Sequence, residues 1–206
     1  MRKIAEVSEE ILIKDLEKYR NIAIQLGATD AKVVTKDYII FDERVRAKCI
    51  IPKCPYYGTN AQCPPYAISV ELAKEVISRY NYGIFVMMRS PMEELLDNTK
   101  ADRTGIKLYE IVSEIESAAF YDGYYLALGL ATGPCKKFFC PQTDCALLLP
   151  GGKCRHPLKA RPSMEGVCLD AYKMATKIGW DIYPIGTRTK PSDVPYGTRL
   201  GIVLIH

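Results

Sequence analysis

No apolar run in this sequence approaches the roughly 18 residues that a membrane-spanning helix requires. The longest, Ile84-Phe85-Val86-Met87-Met88 and Ile202-Val203-Leu204-Ile205, have the length of buried strands. The N-terminus, Met1-Arg2-Lys3-Ile4-Ala5-Glu6, lacks the apolar core that precedes a secretory cleavage site. These absences predict a soluble, cytoplasmic chain with no membrane partner. An excess of one charge is also missing: 28 Lys and Arg face 24 Asp and Glu, a net charge of +4. The basic residues are interspersed rather than clustered, so no nucleic-acid partner is expected. Dinucleotide and phosphate loops, zinc-protease helices and nucleophile elbows are all absent. So is the C-x2-C pair of thiol–disulfide exchange.

What remains is globular in composition, 48% hydrophobic and 25% charged. A chain of 206 residues fits one domain, expected here over residues 1–206. Such a chain buries about 70% of its unfolded surface and needs no covalent staple. Its eight cysteines therefore require another explanation.

Apolar spacing predicts a helix from Ser8 to Leu26 carrying Ile11, Leu12, Leu16, Tyr19, Ile22, Ala23 and Leu26 on one face, stopped by Gly27. Strands or a hairpin follow over Ala31–Phe41, and Pro- and Gly-rich loop over Cys49–Tyr66. A helix from Ser69 to Tyr80 and a buried strand from Tyr82 to Met88 come next. The strongest helical stripe spans Thr104–Tyr121, with a strand at Tyr124–Leu130. A second irregular stretch covers Gly133–Pro162; then a helix is expected at Ser163–Ile178 and strands at Asp181–Ile185 and Leu200–Ile205. The pattern predicts an α/β or α+β fold, a mixed β-sheet covered by helices with two cysteine loops.

Those loops share a spacing. Cys49, Cys54 and Cys63 form C-x4-C-x8-C, and so do Cys140, Cys145 and Cys154. Cys135 precedes the second set by five residues, and Cys168 falls in the helix expected after it. In a reducing compartment, spaced cysteines serve as metal ligands more often than as disulfides. Eight thiolates are what two four-Cys [4Fe–4S] clusters take. Pro follows Cys54, Cys63 and Cys140, fixing the chain direction after a ligand, as in bacterial ferredoxins. Lys48, Lys53, Lys136, Lys137, Lys153 and Arg155 can offset cluster charge. The six repeated cysteines are the first ligand candidates, then Cys135, then Cys168. Cys135 or Cys168 can cross over to complete the other loop's triad. Zinc, for which C-x4-C lies at the edge of knuckle spacing, remains an alternative; disulfides and inert buried thiols are the others.

The segments Cys54-Pro-Tyr-Tyr-Gly, Cys63-Pro-Pro, Gly133-Pro-Cys135, Cys154-Arg-His-Pro and Arg161-Pro-Ser-Met-Glu resemble, in order and separation, the predicted metal-binding proteins of domain of unknown function 2284. That family is common in anaerobic microbes. The resemblance implies a cysteine-bound metal, iron–sulfur in kind, in a small α/β protein, and supplies no reaction.

Among other residues, His156 is an alternative ligand but is expected to hydrogen-bond nearby or face solvent, and His206 to fray. Ser163 and Glu165 suit the start of a helix, while Arg161 is a candidate partner for cluster charge. The tyrosines are assigned to packing. Gly186–Thr198 is expected as a solvated loop, with contact of Arg188, Lys190 and Arg199 to an anionic ligand as the other possibility. Functionally these features predict an electron carrier that cycles one electron per cluster with a redox protein partner. The alternatives are an enzyme with an open cluster iron and a zinc-stabilised interaction module.

Overall fold

Residues 1–96, 102–186 and 188–206 are described in the computed structural model. Four antiparallel strands, β1 (Asp30–Thr35), β2 (Tyr82–Ser90), β3 (Leu128–Leu130) and β4 (Gly197–Leu204), form one sheet in the order β1-β2-β4-β3. The helices are α1 (Glu9–Gln25), α2 (Glu43–Ala47), α3 (Val70–Ile77), α4 (Met92–Leu96), α5 (Arg103–Tyr121), α6 (Cys135–Phe139) and α7 (Ala171–Lys177).

The central strands are apolar on both faces, which is why helices cover both sides. Ile84, Val86 and Met88 of β2 and Val203 of β4 pack against Leu12, Leu16 and Tyr19 of α1 and Leu108, Ile111, Val112 and Ile115 of α5. On the other face, Phe85, Met87, Ile202 and Leu204 meet Ala73 and Ile77 of α3, Met174 and Ala175 of α7, and Trp180. Side chains alternate between the two cores with the period of two that a pleated strand imposes. Gly201 lets α5 lie close, since a Cβ there would meet Val112 Cγ2 at 3.0 Å and the Leu130 carbonyl at 3.1 Å.

Polar side chains start the helices. Ser8, Ser69, Asp102 and Asp170 each accept a hydrogen bond from a backbone N–H in the first turn. Asp102 does more. It is 7% exposed, and besides capping α5 at Gly105 N (2.9 Å) it accepts from Lys137 Nζ at 2.9 Å and pairs with Arg199 Nη2.

Several predicted elements differ. The Ala31–Phe41 segment supplies a single strand, which pairs with β2; a one-turn 3-10 helix, Lys36–Tyr38, follows. The strand expected at Tyr124–Leu130 is only Leu128–Leu130, because Tyr124 turns its hydroxyl to buried Asp15 at 2.9 Å. Asp181–Ile185 forms no strand; Trp180 and Ile182 instead pack on the second core. The helix expected at Ser163–Ile178 is broken. The Ser163 hydroxyl accepts from Gly166 N at 3.0 Å, but only a 3-10 turn, Glu165–Val167, follows, and Cys168 then takes φ 66°. The cause is non-local: Cys168 O accepts from Asp42 N (2.9 Å), Asp170 N donates to Ile40 O (2.8 Å), and Phe41 bridges Leu169. His206 does not fray, since its carbonyl accepts from Tyr82 N at 2.9 Å. Residue 187 of the expected Gly186–Thr198 loop lies outside the described residues. No described helix is long and apolar enough to cross a membrane.

Candidate metal centre

The first cysteine loop leaves α2 rather than a strand. Its turns are knitted by its own cysteines: Cys54 N donates to Cys49 O (3.0 Å), Tyr57 N to Cys54 O (3.0 Å) and Ala67 N to Cys63 O (2.9 Å). Gly58, at φ 73°, closes the loop by donating to Pro64 O at 2.8 Å. The Cys49 thiol is pushed up by burial and then by its neighbours Cys54 and Cys63, so these three form one electrostatic group. Burial also raises Cys63, while Asn60 draws it back down.

The second loop is pinched at its neck. Ala131 bridges Ser163 in parallel, with Ala131 N donating to Pro162 O at 2.8 Å and Met164 N to Ala131 O at 3.0 Å. Tyr109 of α5, fully buried, donates from its hydroxyl to Gly133 O at 2.9 Å and lies 3.4 Å from Arg161 O, so one side chain spans both ends. Its ring packs on Phe138 and Phe139 of α6, with centroids 5.1 and 5.2 Å away. The loop is not wholly irregular, because α6 carries Cys135 within it.

Inside this frame Cys135, Cys140, Cys145 and Cys154 line one enclosed void, whose remaining wall includes Asn60, Gln62, Phe139 and His156. The void is small, about 30 Å3, space for about two waters. His156 N donates to Cys154 Sγ at 3.4 Å, and the His156 ring stacks on Phe139 with centroids 5.4 Å apart. The Cys135 thiol is pushed up to about 12, first by burial, then by Cys63, Cys145, Cys154 and Cys140. Cys135 therefore sits with the second loop while feeling the first. Asn60 is the hinge between them: fully buried, it accepts from Gln62 N at 3.1 Å and lies 4.0 Å from Cys135 Sγ.

Cys168 is elsewhere. Fully buried, its thiol is raised by burial, and the charges acting on it are those of Arg46, Glu43 and Lys74, with no other cysteine among them. Arg161 is engaged by Glu116 and by the carbonyls of Pro157 (3.2 Å) and Ala160 (2.9 Å). Among the described residues, no three His, Cys, Asp or Glu side chains stand close enough together to hold a single ion. The donor set itself, thiols with one imidazole, is the set that binds zinc and iron–sulfur clusters.

The family model described as predicted metal-binding protein (DUF2284) matches residues 32–205. The chain belongs to this family. Its matched span takes in both cysteine loops and every sheet strand except the first two residues of β1. Neither the curated proteins nor the solved structures gave a match. Membership makes metal binding the family's predicted property and leaves the metal unspecified.

Asn60, Tyr109 and Asp102 had no part in the sequence-based expectation for the site. Asn60 carries a signal, an Asx residue midway between two cysteines, where a turn is needed. Tyr109 carries none, since on α5 it reads only as one more apolar position.

Proposed function

We propose that this protein is an iron–sulfur electron carrier, with Cys135, Cys140, Cys145 and Cys154 holding one [4Fe–4S] cluster. The observation that carries this is the four thiols around a single void. A cluster bound there supplies one-electron chemistry. Its redox level would be tuned by the chain: the His156 N–H directed at Cys154 Sγ favours the thiolate, and Lys136 and Arg155 flank the ligands. A four-iron cluster would need more room than the 30 Å3 void, and Gly151, with open space where a Cβ would stand, lies in the turn between Cys145 and Cys154. The reducing partner and acceptor are redox proteins in this reading, working in the cytoplasm.

The first loop favours a second reading for its own group. Cys49, Cys54 and Cys63 act on one another, and Cys168 lies apart by α2. Three thiolates on a four-iron cluster leave one iron open to a substrate, so enzyme chemistry at that group is the alternative.

Anaerobic purification followed by iron, acid-labile sulfide and zinc analysis tests both. Iron and sulfide in equal amounts are expected, with C140S, C145S or C154S each abolishing one cluster and C168S changing nothing. Stoichiometric zinc without sulfide overturns the proposal, and loss of iron in C168S removes the open-iron reading.

A further inference from the structure

Basic residues are spread along the whole chain, yet their excess over acidic ones is not. Residues 133–162, the second cysteine loop, hold six of the 28 Lys and Arg but one of the 24 Asp and Glu, Asp144. The rest of the chain holds 22 against 23, so the net charge of +4 arises in this loop. Half of the six are neutralised from α5: Lys137 pairs with its cap Asp102, Lys159 with Glu110 and Arg161 with Glu116. Lys136 and Arg155 are bonded to carbonyls instead, Lys136 Nζ to Thr143 O and Arg155 Nη1 to Asp144 O, both at 2.7 Å. A carbonyl leaves the charge in place, and these two bonds bring both cations to the turn ahead of Cys145. Lys153 is exposed and makes no ion pair among the described residues.

Just past Cys145 stand three consecutive leucines, Leu147, Leu148 and Leu149, 44%, 37% and 49% exposed. Adjacent apolar side chains left in water are a cost unless something covers them. They are held rather than loose, since Leu148 N donates to Cys145 O, Leu149 N to Ala146 O and Gly152 N to Leu149 O, each at 3.0 Å. Leu147 also lines the void of the four thiols, so whatever covers the leucines comes up against the wall of the candidate metal centre. An apolar centre with a charged rim is the anatomy of a protein interface. The three unneutralised cations fall short of the roughly four to eight that hold a chain on an anionic membrane.

We propose that Leu147–Leu149, rimmed by Lys136, Lys153 and Arg155, is the docking surface for a one-electron carrier protein whose own redox centre is ringed by acidic residues. This rests on the iron–sulfur reading of the second loop. One electron passes between the two centres, one being oxidised as the other is reduced, and no proton or bond changes hands. Three leucines bury little area, which suits the small, short-lived contacts of redox encounters.

Cytochrome b5, an acidic haem protein, and cytochrome c, a basic one, serve as probes of the anaerobically purified full chain. NMR of each oxidised, nitrogen-15-labelled cytochrome titrated with the oxidised protein reads binding while no electron moves. Stopped flow reads oxidation of the reduced protein by each ferric haem. Stronger binding of cytochrome b5 than of cytochrome c is expected, fading as salt rises to about 0.5 M. K153E should slow electron transfer to cytochrome b5 about tenfold at low salt and speed transfer to cytochrome c, whereas a shifted cluster potential would move both rates the same way. K153R should behave as the parent. L149S should slow transfer to cytochrome b5 about threefold and leave its salt dependence unchanged. Both side chains are exposed, so the unfolding temperature should hold in all three variants. Binding no stronger to cytochrome b5 than to cytochrome c, both rates moved together by K153E, an unaffected L149S, or binding to phosphatidylserine vesicles in place of cytochrome b5 overturns the docking surface and leaves the iron–sulfur reading standing. Zinc without sulfide in the purified protein overturns that reading, and this proposal with it.

Discussion

Replacing Asp102 by Asn removes one charge and almost no volume, and the structure sets the cost. The carboxylate is 7% exposed and serves three donors: Gly105 N at 2.9 Å, Lys137 Nζ at 2.9 Å and Arg199 Nη2. Asn caps a helix as well as Asp, so the α5 terminus loses little. Lys137, 28% exposed, can turn to water. Arg199 cannot: its side chain is 10% exposed and Nε is already unpartnered. Breaking a buried pair so that one charge stays behind costs about 3–5 kcal/mol. At about 2–4 °C per kcal/mol for a chain of this size, the unfolding temperature should fall by roughly 6–20 °C. The assay is thermal unfolding followed by circular dichroism under anaerobic, reducing conditions. Metal-free protein is used, so that metal release does not blur the transition. D102N/R199M should recover much of the loss, because the orphaned charge is gone. A fall of under 2 °C in D102N, or a double variant worse than the sum of the singles, would refute the argument.

The second cysteine loop and Glu165 give two further tests. A Cβ at Gly152 would stand 1.8 Å from the backbone oxygen of Ala146, which cannot move aside as a side chain can; G152A should therefore fold normally by far-UV circular dichroism yet lose at least half its bound metal by elemental analysis. Glu165, raised by burial, keeps a proton in the folded state that the unfolded chain releases, so stability should decline as pH rises from the ordinary carboxyl value through the folded one. E165Q, which cannot ionise, should be more stable than the parent by about 1–3 kcal/mol at pH 8 and nearly equal at pH 4, read by denaturant unfolding.

Local chemistry made α1, α3, α5 and β2 legible, because caps such as Ser8 and Ser69 and apolar periods of 3.6 or two act over neighbouring residues. The cysteine loops were legible for the same reason: spacing is written along the chain. What failed was decided at a distance. The Ser163 cap signal was sound, but the helix it opened stops after one turn, since residues 168–170 bond instead to Ile40 and Asp42. Asp181–Ile185 has the composition of a strand, yet Ile182 packs on the second core with Trp180 instead of pairing with an edge of the sheet. Ile11, placed on the buried face of α1 by its spacing, is 43% exposed, while Asp15 is buried because Arg2 and Tyr124 supply its partners. The grouping of thiols was likewise hidden. Equal spacing suggested two equal triads with two extras, whereas Cys135 lines the void of the second loop and the charges acting on Cys168 come from α2 and α3.

Segment Ser163–Asp170 ties these observations together. At one end Ser163 bridges Ala131 and closes the neck of the second cysteine loop; at the other, Cys168 O and Leu169 hold the chain just ahead of α2 and the first. Between them the backbone of Gly166 comes close to Gln62 in the first loop, since a Cβ there would lie 3.5 Å from Gln62 O. Glu165 occupies the middle of this staple. Its carboxyl lies within electrostatic reach of both Cys49 and Cys63, and it lines a cavity together with Thr198 and Arg199. A segment of eight residues thus touches both thiol groups and the cavity, which accounts for its broken helix: a continuous helix would carry its hydrogen bonds within itself and could fasten neither loop. Cys168 fits the same account as a residue of the staple, buried beside α2, where its backbone carbonyl accepts from Asp42 N at 2.9 Å.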